Sequence, residues 1–445
     1  MKFNIELKET LVEAIGEEIR EGLEGRSEIT AGEIETALRH AMKGLGKICL
    51  EVALKVLAER YPEPTVPCPC GAEAEYKFRR SAKTKSVFGW VDYKRAYYIC
   101  PECRQGQYPL DQELGLRPGE MSVALESLLA LEGLERPFKE ASLALEELLL
   151  IEVSENTVRK ATQHFGTLCE QEEEGWKAES YDLENMKARP RTVTDPPERL
   201  YGSLDGVQIP VGGGDEWREL KCGCWYEVEE AEGEERGALR AKDVDYYCEL
   251  TRAKAFRDLV WATGYRRLAD EAEEVVFVAD GAPWIWKMVD YHFPDAVQIV
   301  DWYHATEYLM PIAHSVFGKK ETPEAQRWVE KRRHELGKGH VQEVIMACKA
   351  FEDHPQAQEP VRKAITYYRN NEERMDYGRF REEGYQIGSG TVESACKRIG
   401  AQRLKRAGAR WKEEGAQDTA KARAAWLSGQ WERLEARNEQ LAQAA

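Results

Sequence analysis

Long apolar runs are missing from this chain of 445 residues. No stretch of about 18 consecutive apolar residues occurs, although a membrane-spanning helix needs that length. The chain also opens without the charged, apolar and small-residue segments of a secretion leader. These two absences predict a soluble cytoplasmic protein that makes no membrane contact.

Positive charge is also scarce, because the formal net charge is −17 at pH 7. Nucleic-acid phosphates are contacted mainly by Lys and Arg, so the net charge argues against nonspecific nucleic-acid binding by the whole surface. Between Ala395 and Ala425, however, nine basic and three acidic residues give a local charge of +6, which leaves about −23 for the rest of the chain. Any contact with DNA must therefore be confined to patches.

Residues 1–60 show helical patterns and no residues that suggest chemistry. Thr30 and Glu33 form a capping-box pattern ahead of an amphipathic run that reaches Leu57. Apolar residues at roughly helical spacing precede this run, namely Ile5, Leu7, Leu11, Ile15 and Ile19. An N-terminal helical region for packing or self-association is predicted, with an interaction helix as the alternative.

Four of the eleven cysteines form two close pairs within residues 66–110. Cys68 and Cys70 make a C-x-C pair, and Cys100 and Cys103 make a C-x-x-C pair after 29 intervening residues with strand-like runs. Without a leader, such pairs predict metal binding or core thiols rather than disulfides. Two knuckles joined by hairpin strands are typical of a zinc ribbon, in which four thiolates hold one Zn²⁺ ion. The C-x-C spacing departs from the usual C-x-x-C, so either Cys68 is not a ligand or the first turn is strained.

Residues 120–168 change to helical patterns, with helices predicted over 121–131, 138–150 and 154–165. Ser154 is a suitable N-cap for the last of them. The last two helices form a helix-turn-helix outline in which Asn156, Arg159 and Lys160 would face a DNA major groove. A structural helical hairpin is the alternative, since the outline carries few basic residues. Residues 170–198 are polar and proline-tipped, which predicts a connector.

Three strand-like segments between residues 199 and 305 each carry an acid or end on one. Acids at the carboxyl ends of adjacent central strands lie where open α/β sheets bind ligands. His304 follows Asp301, the last of these acids, by three residues. The acids are Asp205 within 200–211, Asp280 after 275–279 and Asp301 after 296–300. The alternative is that Asp280 merely caps the helix that follows it.

A fourth acid, Glu393, lies far downstream. Residues 385–397 contain a Gly-Ser-Gly turn that opens a helix, and Glu393 falls in its first turn. The order Asp, Asp, Glu on strand, strand and helix is what a two-metal phosphoryl-transfer site needs, because carboxylates hold two divalent ions about 4 Å apart. Asp205, Asp280 and Glu393 are therefore the candidate metal ligands and catalytic residues.

Several motifs across residues 120–425 together resemble the DDE transposases of bacterial insertion sequences, most closely the ISKra-four group. The motifs are SLDGVQIPV with WREL after it, VFVADGAPWIW, DWYH, IGSGTVES and RLKRAGARWKEEGA. The resemblance implies an α/β RNase H-like catalytic core with a mixed five-stranded sheet. This core would be split into 199–305 and 385–445 around an all-helical insertion at 306–384. In that topology the first-strand acid Asp205 and the fourth-strand acid Asp280 become neighbours.

The resemblance also implies an enzyme that cleaves the DNA ends of an insertion sequence and joins them to target DNA. Asp205, Asp280 and Glu393 would hold two Mg²⁺ ions. His304 of the D-x-x-H element would orient a water or a phosphate oxygen, with a purely structural role as the alternative. Because two ends must be held together, a homodimer or a larger synaptic assembly is expected, associated with the bacterial nucleoid when DNA is bound.

The basic residues after Glu393 suit contacts with DNA phosphates near the cut end, with an indole ring stacking on a base. The predicted contacts there are Lys397, Arg398, Arg403, Lys405, Arg406, Arg410 and Trp411. Two other functions stay open. One is an RNase H-like nuclease that cleaves DNA without strand transfer, and the other is a non-catalytic DNA-binding regulator derived from a transposase. The intact set of Asp205, Asp280 and Glu393 counts against the second.

Overall fold

A computed structural model describes residues 29–61, 63–182, 195–214, 216–231, 239–318 and 322–444, with Glu184 and a few residues before 29. The predicted apolar positions Ile5, Leu7, Leu11 and Ile15 lie outside the described residues. The chain divides into two compact units, Met1–Leu168 with Trp431–Ala445, and Cys169–Gln430. Across the described ranges, every helix is too short or too polar to span a bilayer.

In the first unit, the start of helix α1 (Ala31–Ala58) confirms the predicted capping box. The Glu33 side chain accepts from the Thr30 backbone N–H at 2.8 Å, and the Thr30 hydroxyl accepts from the Glu33 N–H at 3.4 Å. Each contact satisfies an N–H at the helix start. Near its end, α1 buries Leu54 and Ala58 in one hydrophobic cluster with residues of the neighbouring sheet.

That sheet has four antiparallel strands in chain order. Its strands are β1 (Thr65–Pro67), β2 (Glu73–Ser86), β3 (Gly89–Ile99) and β4 (Gly106–Gln107). Strands β2 and β3 form the hairpin predicted between the two cysteine pairs. A small cluster of Ala74, Ala96 and Tyr98 packs against Cys68 and Cys100, so the hairpin base and the cysteine pairs form one local core.

Four helices complete the first part of the chain, and the last is longer than predicted. They are α2 (Pro109–Leu114), α3 (Val123–Glu135), α4 (Phe138–Leu149) and α5 (Glu155–Glu179). The prediction of a connector from residue 170 is wrong up to Glu179, because helical burial continues through Leu168, Cys169 and Glu173. The Glu173 carboxylate is satisfied by an ion pair with buried Lys421. A buried ion pair in an otherwise polar segment leaves no hydrophobic signal in the sequence.

The second unit is built on a five-stranded sheet of mixed direction, which confirms that part of the predicted fold. The spatial order is β7-β6-β5-β8-β9, with β5, β6 and β7 antiparallel and β5, β8 and β9 parallel. The strands are β5 (Arg199–Val211), β6 (Glu216–Glu230), β7 (Leu239–Glu249), β8 (Glu274–Ala279) and β9 (Val297–Val300). Helices α6 (Ala253–Arg266) and α7 (Pro283–His292) connect β7 to β8 and β8 to β9.

The predicted insertion at 306–384 contains only helices among its described residues. After α8 (Trp302–Glu307), its helices are α9 (Leu309–Phe317), α10 (Pro323–Gly337), α11 (Val341–Lys349), α12 (Gln358–Asn370) and α13 (Tyr377–Glu382), with a short 3₁₀ turn at Glu372–Arg374. A buried tyrosine connects this helical segment to the sheet, because the Tyr377 hydroxyl donates to the Val300 carbonyl of β9 at 2.9 Å.

After this helical segment, the described chain contains only further helices. It forms α14 (Gly390–Ala395), a π-helical segment (Cys396–Ala401), α15 (Gln402–Leu404) and α16 (Glu413–Leu427) in the second unit. The final helix α17 (Trp431–Ala444) belongs to the first unit, where the Trp431 ring stacks on Phe165 with centroids 4.5 Å apart.

Candidate active site

Three acids occupy the same level on three neighbouring parallel strands. Gly202 of β5 pairs with Phe277 of β8, so Asp205 and Asp280, each three residues further on, are level with each other. Ala279 pairs with Val300 of β9, which places Asp280 level with Asp301. Because level residues of parallel strands lie side by side, the three acids form one row at the carboxyl ends of β8 and β9, beside the middle of β5.

Asp301 is the fully buried member of this row. One carboxylate oxygen accepts from the backbone N–H of Ser389 at 2.5 Å, and the other accepts from the His304 backbone N–H at 2.8 Å. Although burial alone would raise the pKa of Asp301, hydrogen bonds from His304 and Ser389 lower it below its usual value. The buried carboxylate thus stays ionised and joins the Gly-Ser-Gly turn to the end of β9.

His304 lies between two carboxylates. Its Nδ1 is 3.0 Å from Asp301 Oδ1 and 3.8 Å from Glu393 Oε1. The hydrogen bond to Asp301 raises the pKa of His304 to about 9, against an opposing effect of burial. With Nδ1 held by Asp301, Nε2 is the nitrogen available to a substrate oxygen.

Glu393 reaches the row from the first turn of α14, as the sequence predicts. Its Oε1 accepts from the Ser389 hydroxyl at 3.3 Å, and its side chain is 48% exposed. The π-helical segment that follows packs on β5, because a Cβ at Gly400 would lie only 2.4 Å from Val207. Close approach at Gly400 therefore fixes α14 against the strand that carries Asp205.

Electrostatics link Asp205 and Asp280. Burial raises the pKa of Asp280, and the negative charges of Asp205 and Asp301 raise it further. The hydrogen bond that Asp280 accepts from the Ala282 N–H and the charge of His304 oppose this shift. Asp205 itself accepts from the Gly206 N–H at 2.6 Å. Like charges held close together at a half-buried site are the electrostatic environment that a divalent cation relieves.

The tightest grouping of possible ligands differs from the predicted set. In the part of the chain that the structure describes, Asp301, His304 and Glu393 have ligand atoms within 4.8 Å of one another. Asp205 and Asp280 do not join a group that tight. The sequence pointed to Asp301 only as part of the D-x-x-H element, and its burial against Ser389 could not be inferred from that pattern.

The donor chemistry of this site fits a hard cation. Asp205, Asp280, Asp301 and Glu393 offer carboxylate oxygens, which are the protein ligands that Mg²⁺ uses. Glu393 is half exposed, whereas Asp301 already accepts three hydrogen bonds. Asp205, Asp280 and Glu393 thus have the greater capacity to bind an ion, and Asp301 positions the groups around them.

The four predicted zinc ligands come together in the first unit. Cys68, Cys70, Cys100 and Cys103 form one group that could bind a metal such as zinc. Sγ–Sγ distances are 3.5 Å for Cys68–Cys70 and 3.6 Å for both Cys68–Cys103 and Cys70–Cys100. A tetrahedron with Zn–S bonds of about 2.3 Å has S–S edges of about 3.8 Å, so the spacing is suitable. Cys68 therefore lies with the other three despite its C-x-C spacing.

The C-x-C turn is made possible by the glycine that follows it. Gly71 has a φ of +91°, which favours glycine over any other residue. Its N–H donates to the Cys68 carbonyl at 2.9 Å, closing the turn. The four thiols interact, so the backbone N–H of Cys103 lowers the pKa of Cys100 to about 7, whereas the pKa values of Cys68 and Cys103 are raised by burial and by bonds with neighbouring thiols.

The predicted DNA-reading residues of α5 lie near its start. Ser154 accepts from the Thr157 N–H at 3.1 Å, as expected of an N-cap. Arg159 donates to Asn156 at 2.5 Å and to Gln163 at 3.0 Å, and Lys160 is exposed. Leu150, with a φ of 55°, ends α4 before the turn into α5. The use of this helix pair as a helix-turn-helix stays a prediction.

Two of the predicted DNA contacts after Glu393 are buried. Trp411 is 7% exposed and donates its indole N–H to the Leu404 carbonyl at 3.0 Å. Arg403 is 3% exposed and packs over the Trp411 ring, 5.0 Å from its centroid. The prediction that these two side chains touch DNA is therefore wrong, because both are used inside the fold. The exposed members of the predicted set are Lys397, Arg398, Lys405, Arg406 and Arg410.

An exposed aromatic residue that the sequence did not single out lies beside this group. Trp217 of β6 is 56% exposed, and the Lys405 ammonium is 5.7 Å from its ring centroid. An exposed indole next to cations is suited to stack on a base. Its place on a predicted strand made it indistinguishable from a core tryptophan in the sequence.

The sequence pattern of the Uncharacterised protein family (UPF0236) matches residues 71–440, which is most of the chain. No curated protein matches the chain significantly. The matched region includes parts of both units, the strand acids, Glu393 and two of the four clustered cysteines, Cys100 and Cys103.

Proposed function

This chain belongs to the Uncharacterised protein family (UPF0236), and we propose that it is a DDE transposase with an RNase H-like core. The observation that carries the proposal is the level row of Asp205, Asp280 and Asp301 with Glu393 and His304 beside it. Three antiparallel strands followed by two parallel ones, with a late acid on a C-terminal helix, support the same assignment.

Asp205, Asp280 and Glu393 are the ligands we propose for two Mg²⁺ ions. When bound, the ions would stabilise the attacking and leaving oxygens of an in-line displacement at phosphorus. Asp301 positions the site by holding the Ser389 turn and the His304 ring. His304, protonated at neutral pH, donates its Nε2–H to a non-bridging phosphate oxygen and so stabilises charge that grows in the transition state.

The proposed reaction has two displacements. Water first attacks the phosphorus at the element end and frees a 3′ hydroxyl. That hydroxyl then attacks a phosphorus of target DNA, and a new phosphodiester forms as the target strand breaks. The exposed cations after Glu393, with Trp217, are suited to hold DNA near the site, and α5 is the candidate reader of the element ends. A homodimer or larger assembly would hold two ends.

A strand-transfer assay tests the proposal. Labelled duplexes from the flanks of the gene are incubated with the protein, Mg²⁺ and a supercoiled target plasmid. The proposal predicts labelled plasmid, because cleaved ends become joined to the target. Cleaved duplex without joined product would instead identify a nuclease, and bound but uncut duplex would identify a DNA-binding regulator.

A further inference from the structure

A cleft beside the candidate active site lies between helices α7 and α12, with a volume of about 490 Å³. Its lining from α7 includes Pro283, Trp286, Lys287 and Asp290, whose spacing puts them on one helix face. Lys363, Thr366, Tyr367 and Asn370 make the same repeat on α12. A stripe of polar and aromatic side chains from each helix therefore lines the cleft.

The charge of this cleft is opposite to that of the molecule. Lys287, Arg362, Lys363 and Arg374 line it, against a single carboxylate, Asp290. Arg362 and Lys363 also pair with Glu359 on the same helix, at 2.7 Å and 3.3 Å. Even with Glu359 included, four cations face two carboxylates. In a chain of net charge −17, such an excess marks a place for an anionic ligand.

The cleft is anchored to the loop that carries Asp280. The Tyr367 hydroxyl donates to the Asp280 carbonyl at 2.7 Å. Gly281, with a φ of +89°, also lines the cleft, and a Cβ there would lie 2.9 Å from the Tyr367 ring. The Tyr308 and Tyr367 rings stack with centroids 4.1 Å apart. Whatever occupies this cleft therefore lies directly beside the candidate catalytic loop.

We propose that the cleft holds the sugar-phosphate backbone of one DNA strand that leads to Asp280. Lys287, Arg362 and Lys363 are exposed and would contact successive phosphates, while the tyrosine pair at the inner end contacts a base. This inference rests on the proposed function for the identity of the ligand as DNA. It assigns the strand a path through the helical insertion, separate from the cations after Glu393.

The test compares two triple variants. The cleft variant combines Lys287→Ala, Arg362→Ala and Lys363→Ala. The control variant combines Arg327→Ala, Lys331→Ala and Arg333→Ala, which removes three exposed cations of α10 outside the cleft lining. Binding of a fluorescent oligothymidylate of about 12 nucleotides is measured by anisotropy over a salt series without Mg²⁺. Thermal unfolding midpoints of both variants check that they fold.

In the cleft variant, the slope of log affinity against log salt should flatten by about 2, since each phosphate contact on a single strand contributes about 0.7. The control variant should keep the wild-type slope. Equal slopes in the wild type and the cleft variant would overturn the inference, and so would equal flattening in both variants. Competition by a polyglutamate peptide of equal charge, as strong as that by DNA, would overturn it as well.

The binding measurement is independent of catalysis. It is repeated with Asp280→Asn, alone and combined with the three cleft substitutions. The cleft substitutions should flatten the salt slope of Asp280→Asn by the same amount as they flatten that of the wild type. An oligonucleotide with 4-thiothymidine should crosslink to α12, and crosslinks found only outside α7 and α12 would contradict the path. Absence of joined product in the strand-transfer assay would remove the proposed function and leave this result standing.

Discussion

Asp301 shows how one residue can organise a site without being its most reactive group. Its buried carboxylate links the end of β9, the His304 ring and the Ser389 turn that starts the helix of Glu393. Removing one partner of such a buried, charged hydrogen bond costs more than the bond contributes, because the other partner is left unsatisfied. The sequence marks Asp301 as one acid among several, whereas the structure shows its carboxylate bonded to both His304 and Ser389.

A second buried acid gives a prediction for stability. Asp418 of α16 is 6% exposed, and burial together with the charges of Glu170 and Glu414 raises its pKa to about 7. In the unfolded chain its pKa is about 4. The folded state therefore holds the proton more tightly, and this stabilising contribution, complete below about pH 4, is lost as pH rises to about 7.

Asp418→Asn should raise the free energy of unfolding by roughly 1–2 kcal/mol at pH 8, after allowance for solvent screening. The gain should shrink at pH 5, because the wild-type carboxyl is then protonated. Urea unfolding at both pH values measures the difference. Asp295→Asn, at an exposed acid, is the control and should change the free energy of unfolding at pH 8 by less than about 0.5 kcal/mol. An equal effect of Asp418→Asn at both pH values would contradict the argument.

At the scale of elements, the π-helical segment that follows the helix of Glu393 packs closely on the strand of Asp205. Gly400→Ala would put a methyl group 2.4 Å from Val207 Cγ1. The overpacking should destabilise the protein by about 1–3 kcal/mol. Adding Val207→Ala should recover about 1 kcal/mol or more relative to additivity, which a double-mutant cycle in urea measures. Strictly additive effects would mean that the two residues do not touch.

The four-cysteine group gives a second prediction at this scale. The purified protein should carry about one zinc ion per chain, and Cys100→Ser should lose it. Proteolysis between residues 68 and 103 should then accelerate, since the hairpin loses its metal. Cys49→Ser, at an exposed cysteine outside the group, is the matched control and should keep the metal. Elemental analysis that finds no zinc in wild-type protein supplied with ample metal would rule out the zinc assignment.

Strong local signals in the sequence were enough to predict several elements. The capping box at Thr30, the cysteine pairs and the runs of β-branched residues before Asp280 each specify a structure within a few residues. Burial that depends on distant partners could not be predicted. Trp411 and the second half of α5 have polar neighbours in sequence, and only contacts with Leu404 and Lys421 place them inside.

At the scale of the whole molecule, the question is how so acidic a chain contacts DNA. Lys405, Arg406 and Arg410 are exposed and follow the helix of Glu393, and the Lys405 ammonium lies 5.7 Å from the Trp217 ring centroid. Replacing all three with alanine should weaken duplex binding regardless of sequence. The salt slope should flatten by roughly 2–3, at about 0.9 per phosphate contact. An unchanged slope, with the α10 variant as control, would mean that these cations are only solvated.

The central claim is that the acids at the carboxyl edge of the sheet support metal-dependent phosphoryl transfer, and the nicking rate of Asp280→Asn tests it most directly. In Mg²⁺, this variant should nick an element-end duplex at least roughly 100-fold more slowly than the wild type, because it loses a charged ligand without a change of shape. Asp295→Asn, which removes an exposed acid 15 residues along the chain, should nick at the wild-type rate. Nicking by Asp280→Asn at the rate of Asp295→Asn would contradict the account.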